Sequence, residues 1–240
     1  MSYINSSCIS LVFKSMIWIA IIIIIIVMCL SLVIFAPCDK VFFNKEIYPQ
    51  LNILSDSMQL HLIKDDLRRL EDNQFVNYPD QDMWKFNSES IYKIFPFYMV
   101  GVFAKKNIAQ CPDTFRLAQY IPYIRTMSFV KLGPKSVLKV HQSWKELAND
   151  TFRCVLGLEI PANDIHACGI WVQGNVKKIE EDKWVIFDAS KKHSMFNKQD
   201  TPCCMLMLDL KRPTKVLGLS NHPLPDISKF ILQPEDLETQ

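Results

Sequence analysis

Two histidines hold the positions from which this chain could do chemistry. His141 follows a short β-type run, Val137–Val140, and His193 lies beyond the Phe187-Asp188 end of a later run. In a jelly-roll barrel two such strand ends can converge at one mouth, and imidazole is a good ligand for a metal such as Fe(II). The plainer reading, two polar loop histidines, is equally compatible with the spacing. Asp188 is placed to cap or brace the turn that leads to His193.

Other conspicuous residues have simpler readings. Trp171 and Trp184 fall in strand-like runs, as core or rim aromatics. Cys203 and Cys204 have no CxxC partner and read as small buried side chains. His61 reads as lying on a helix face, and His166 and His222 as exposed in Pro-flanked loops.

The elements that must position the histidines follow from periodicity. Leu60, Ile63, Leu67 and Leu70 recur at helical spacing within 58–70, and Asp113 to Tyr120 reads as a second helix between Pro112 and Pro122. Residues 72–96 are rich in Asn, Asp and Pro and read as irregular connection. From residue 127 the pattern becomes a series of short β-type runs: 127–132, 137–140, 152–160, 169–172, 183–187 and 205–210. Turn chemistry at Gly133-Pro134, Pro161 to Asp164, Gly174-Asn175 and Asn197 to Pro202 separates them. Short strands in quick succession favour an antiparallel double-sheet barrel over a parallel sheet.

Between Lys14 and Asp39 the chain carries no charge and includes six successive isoleucines, Ile21 to Ile26. About 20 apolar residues span a hydrocarbon core, so Met16 to Phe35 is long enough to cross a bilayer as a single anchor. A cleaved signal peptide fits less well, because its apolar region is shorter and an Ala-x-Ala cleavage site is missing. Lysines on both flanks leave the orientation open. The expected organisation is a short tail (1–15), the anchor (16–36), a helical and irregular lead-in (37–110), a β core (111–215) and a Pro/acid-rich tail (216–240).

With 27 basic against 25 acidic residues, no long-range field would gather nucleic acid, which is not expected as a partner. Six glycines and no Gly-rich loop disfavour phosphate cradling. Of eight cysteines, Cys8 and Cys29 lie in the tail or anchor, and the adjacent Cys203 and Cys204 are awkward to bridge together, so a disulfide framework is weakly indicated.

Five stretches taken together resemble a known family. They are Cys111-Pro-Asp-Thr, the run from Ile121-Pro-Tyr-Ile-Arg to Lys139-Val-His141, Arg153-Cys-Val-Leu-Gly-Leu-Glu-Ile-Pro161, Phe187-Asp-Ala-Ser-Lys-Lys-His193, and Met205-Leu-Met-Leu-Asp-Leu-Lys-Arg-Pro213. Over residues ~90–213 they are similar to the aspartyl/asparaginyl β-hydroxylases, iron and 2-oxoglutarate dependent oxygenases on a double-stranded β-helix. An N-terminal anchor also fits, since several members, lipid hydroxylases included, sit on membranes. The resemblance implies a mainly β, cupin-like core with α-helical additions, preceded by one transmembrane helix.

It further implies Fe(II) held by His141 and His193, and Arg153 in contact with 2-oxoglutarate. The carboxylate ligand of the wider superfamily falls at Ser143, but the asparaginyl/aspartyl hydroxylases manage with two histidines. Three pocket positions depart from the family: its histidine on the Arg153 strand is Val155, its distal arginine is Cys203, and its serine is Val130. In its Phe-Asp-Asp-Ser turn the second acid is Ala189. Two functions are therefore expected in competition. One is a membrane-anchored dioxygenase that hydroxylates an Asp or Asn side chain or an acyl chain, with Lys191 or Lys192 assisting Arg153. The other is a degenerate member serving as a structural or binding module in a membrane or envelope assembly.

Overall fold

The structure, a computed structural model, describes residues 18–19, 21–26, 40–78, 90–161 and 167–213. The chain divides into two compact units, Met1–Asp39 and Lys40–Gln240. In the first, residues 18–19 and 21–26 are helical and their side chains exposed. The rest of the expected anchor lies outside the described residues, as do His166, His222 and the expected tail 216–240. Among the described residues no helix is long and apolar enough to cross a membrane.

The second unit is mainly β. Its strands are β1 (Phe42–Phe43), β2 (Val76–Asn77), β3 (Tyr92–Met99), β4 (Val102–Phe103), β5 (Ile124–Leu132), β6 (Thr151–Glu159), β7 (Cys168–Val172), β8 (Asn175–Lys178), β9 (Trp184–Phe187), β10 (His193–Asn197) and β11 (Cys203–Lys211). The large antiparallel sheet runs β1-β9-β6-β11-β5-β3-β2, with β4 paired to β3; the small one runs β10-β7-β8. Helices α1 (Asn52–Ser55), α2 (Ser57–Arg68), α3 (Lys105–Gln110), α4 (Pro112–Ala118) and α5 (Lys145–Ala148) complete it.

Alternation along the strands sorts the core into two layers. On β6, Phe152, Cys154, Leu156 and Leu158 face the helices, where they join Leu54, Leu60, Ile63 and Leu117. Val155 faces the other way, between the sheets, with Val130, Ile170, Val172, Met195, Cys203 and Met205. The large sheet is thus covered on both faces, which explains why β6 and β11 read as apolar runs rather than as alternating ones. Each fully buried Phe or Leu contributes about 1.5–3 kcal/mol. The amphipathic α2 starts at the N-cap Asp56, whose carboxylate accepts from Met58 N. Inside its packing face Asp66, fully buried, accepts from Thr114 N at 2.6 Å and Thr114 Oγ1 at 2.7 Å and pairs with Arg69. That network ties α2 to α4.

Two expectations change. Residues 72–96, read as irregular, contain most of β3, which pairs with β5 in the large sheet. Pro96 obscured this strand, since a proline gives the ladder no donor; the register shifts between Pro96 and Tyr98, a bulge that accommodates it. The β core therefore begins well before residue 111. The run 137–140 is no continuous strand but a segment pinned by isolated bridges, Val137 to Phe196 and His141 to His193. His193 lies, as expected, beyond the Phe187 end of β9, and it opens β10, whose pairing with β7 carries it into the small sheet.

At Gln173-Gly174 both residues have positive φ, 44° and 86°, so the turn between β7 and β8 matches the right-handed twist of the hairpin. Gly157 has a different constraint: an added Cβ would come within 2.3 Å of the Glu180 carbonyl oxygen, and backbone cannot step aside as a side chain can. Gly157→Ala is expected to cost about 1–3 kcal/mol, read as a lowered midpoint in chemical denaturation.

Candidate metal site

The two histidines that sequence placed 52 residues apart meet at one end of the barrel. His141 and His193 exchange backbone hydrogen bonds, N to O at 2.9 and 2.8 Å, and their ring centroids are 4.2 Å apart. Phe187 packs against His193 at 5.2 Å between centroids.

Each ring is oriented in the same way. His141 Nδ1 lies 2.7 Å from the Lys139 carbonyl oxygen, and His193 Nδ1 lies 2.8 Å from that of Lys191. A carbonyl only accepts, so Nδ1 carries the proton in both rings and each Nε2 presents its lone pair. His193 is buried, and its Nε2 has no hydrogen-bond partner among the described residues. An orphaned, desolvated imidazole nitrogen is costly, and a cation would satisfy it.

Electrostatics keep both rings neutral. Burial lowers His141 to about 4, with Arg153 adding to the depression and the Lys139 carbonyl opposing it. His193 is held well below the ordinary histidine range by burial, then by His141 and Arg153. Neutral imidazole is the form that ligates metal. Among the described residues no third His, Cys, Asp or Glu joins the pair in a metal-holding group. Ser143 instead donates its backbone N–H to the Ala189 carbonyl at 3.1 Å.

Asp188 sits under the turn into β10. Its Oδ1 accepts from Ser190 N at 3.0 Å, Ser190 Oγ at 2.6 Å and Arg212 Nη2 at 2.6 Å. The turn it fixes carries Lys191, whose carbonyl orients His193. Asp188→Ala is therefore expected to weaken metal binding about 10–100-fold, measured by Fe(II) titration.

Arg153 is also at this end, but it is engaged. Its Nε lies 2.9 Å from Asp209 Oδ1 and its Nη2 3.0 Å from Asp209 Oδ2, a bidentate pair with both residues buried. Thr126 Oγ1 donates to the same carboxylate at 2.7 Å. The three residues lie in one row across β5, β11 and β6. Burial disfavours the charged guanidinium, but the Asp209 carboxylate outweighs it and holds Arg153 above the ordinary arginine range. Sequence reading missed Asp209, although a lone acid inside Met205-Leu-Met-Leu-Asp-Leu and a lone base inside Phe152 to Leu158 signal each other: neither could be buried without a partner.

Around the pair the barrel is filled. Val130, Val155 and Cys203 are at most 1% exposed, and the Cys203 thiol hydrogen-bonds with Cys168 of the facing sheet. Beside Arg153 and Asp209, Thr126, Ser143 and Trp144 line a cavity of about 20 Å³, room for roughly one water.

A curated relative, the ornithine lipid ester-linked acyl 2-hydroxylase of Rhizobium tropici, is 31% identical over 135 residues, which cover 56% of this chain and 46% of the relative. The match thus spans less than half of that protein's length. Among solved structures, a 2OG-Fe(II) oxygenase family oxidoreductase from Burkholderia pseudomallei aligns with a TM-score of 0.49 at 12% identity, covering 69% of this chain and 84% of its own. A Pseudomonas putida prolyl-4-hydroxylase aligns with a TM-score of 0.42 at 11% identity, covering 65% and 87%. The model of the aspartyl/asparaginyl beta-hydroxylases matches residues 57–213, from the start of α2 to the end of the described β core, and the chain belongs to that family.

Proposed function

We propose that the chain is an iron-dependent hydroxylase of the 2-oxoglutarate oxygenase type that acts at a membrane, on an acyl chain or on a protein side chain. The observation that carries the metal site is the pair His141 and His193, each with Nδ1 on a carbonyl and His193 Nε2 buried and unpartnered. A metal fits there, and Fe(II) would supply the site for dioxygen chemistry. Lys139 and Lys191 hold the rings through their carbonyls, Asp188 fixes the turn, and the Phe187 ring keeps water from one side of His193. The acyl chain is supported by the named substrate of the Rhizobium relative, and the membrane by the uncharged run Met16 to Phe35.

2-Oxoglutarate does not fit where the resemblance implied. Arg153 already holds a carboxylate, that of Asp209, and the adjoining cavity of about 20 Å³ is far too small for a five-carbon diacid. This favours a second reading: a domain that keeps the family's fold and histidine pair and serves as a binding or structural module.

Anaerobic titration with Fe(II) and then 2-oxoglutarate separates the two, with His141→Ala and His193→Ala as controls. A visible metal-to-cosubstrate band that saturates and vanishes in both variants supports the hydroxylase. Iron bound without the band supports the module, and no iron at all overturns the metal site.

A further inference from the structure

The small sheet has an inner face on the barrel interior, through Ile170, Val172 and Met195, and an outer face made by the alternate residues. The register places Ser194 opposite Trp171, Trp171 opposite Val176, Phe196 opposite Gly169 and Gly169 opposite Lys178. Val140 joins the Ser194 row, because its neighbour His141 bridges His193. Val140 and Val176 are 55% and 56% exposed, while Trp171 and Phe196 are half-buried. The Phe196 ring lies so close over Gly169 that an added Cβ would meet it at 2.6 Å. Lys198 Nζ sits 5.3 Å from the centroid of that ring.

Lysines border this apolar face: Lys178 and Lys198 on it, Lys139 and Lys192 at the end that carries the histidines. Of the nearby acids, Glu180 pairs with Lys183 at 2.7 Å and also faces Lys177 and Lys178, and Asp200 pairs with Lys135 at 3.0 Å, so lysines outnumber acids around the face. Trp, Phe and Val rimmed by ammonium groups match a bilayer interface, where indole rests at headgroup depth and lysine meets lipid phosphate.

We propose that the outer face of the small sheet, through Val140, Trp171, Val176 and Phe196 with Lys178 and Lys198, docks on a bilayer surface carrying anionic lipid. This rests on the membrane reading of the function and adds the surface that would present the His141–His193 mouth to lipid.

The test uses the full chain reconstituted in vesicles containing about a third phosphatidylglycerol, with lipids brominated on the acyl chain as quenchers. Subtracting the emission of Trp171→Phe from that of the parent isolates Trp171. We expect its emission to fall about two-fold or more in brominated vesicles, and the quenching to be lost in Lys178→Glu/Lys198→Glu. Equal emission with and without bromine overturns the proposal, as does quenching indifferent to the two charge reversals. Paired chains in which Trp171 is shielded from lipid would assign the face to a second copy and also overturn it. Fe(II) binding by the same samples reads the metal site separately: quenching without iron supports docking while the metal reading fails, and iron without quenching does the reverse.

Discussion

His193→Ala is expected to abolish the proposed Fe(II) binding and at the same time to relieve the apo protein of an acid-sensitive element. The first effect follows because the site offers two protein nitrogens, and a lone imidazole cannot hold the ion against water. The second follows from linkage. The folded value of His141 is lowered from 6.5 to about 4, so between those values the unfolded chain binds a proton that the folded chain refuses. Stability is then full above pH 6.5, falls as the pH drops towards 4, and flattens below. For His141 the full loss is about 3 kcal/mol at 1.36 kcal/mol per unit, and His193, shifted in the same direction, adds to it. Denaturation midpoints of the metal-free protein from pH 7 to 4 should show this slope. The slope should be shallower in His193→Ala, which lacks one of the two groups, and Fe(II) should stabilise the parent at pH 7 but not the variant. A parent whose midpoint does not move over this range would refute the buried, neutral pair.

The second large effect concerns Arg153 and Asp209. Asp209→Leu leaves a buried guanidinium without its counter-charge and Thr126 without its acceptor. We expect a loss of roughly 3–5 kcal/mol, a large part of the 5–15 kcal/mol that holds an ordinary domain together. The double variant Arg153→Met/Asp209→Leu removes both charges and should recover most of that loss, because an apolar pair of similar volume replaces an ion pair in an apolar layer. Urea midpoints of the three proteins decide it, and a double variant no more stable than Asp209→Leu would contradict the pairing. The same pair bears on function: while Asp209 occupies the guanidinium, 2-oxoglutarate should not raise the melting temperature of the parent through Arg153. A rise in the parent that disappears in Arg153→Met would show that the arginine exchanges Asp209 for the cosubstrate.

The sequence by itself determined the fold class, the family and the two histidines. β6 and β11 were legible because residues buried on both faces of a sheet must be apolar throughout, and α2 because its leucines recur at helical spacing. β3 was not, since Pro96 breaks the pattern that a bulge in three dimensions restores. Strand β10 was hidden for a related reason: its five residues, His193–Asn197, include a histidine, a serine and an asparagine, whose places are fixed by partners on other segments. Ser194 Oγ donates to the Leu138 carbonyl, and Asn197 Nδ2 to those of Gly133 and Thr201. Only the tertiary structure decided what surrounds the histidines. The proton on each Nδ1, the orphaned Nε2 and the closure of Arg153 by Asp209 all depend on carbonyls and carboxylates that stand in contact through sheet register and turns. A side chain's identity limits the chemistry it can do, and its neighbours, often tens of residues away along the chain, select which of those chemistries remains open.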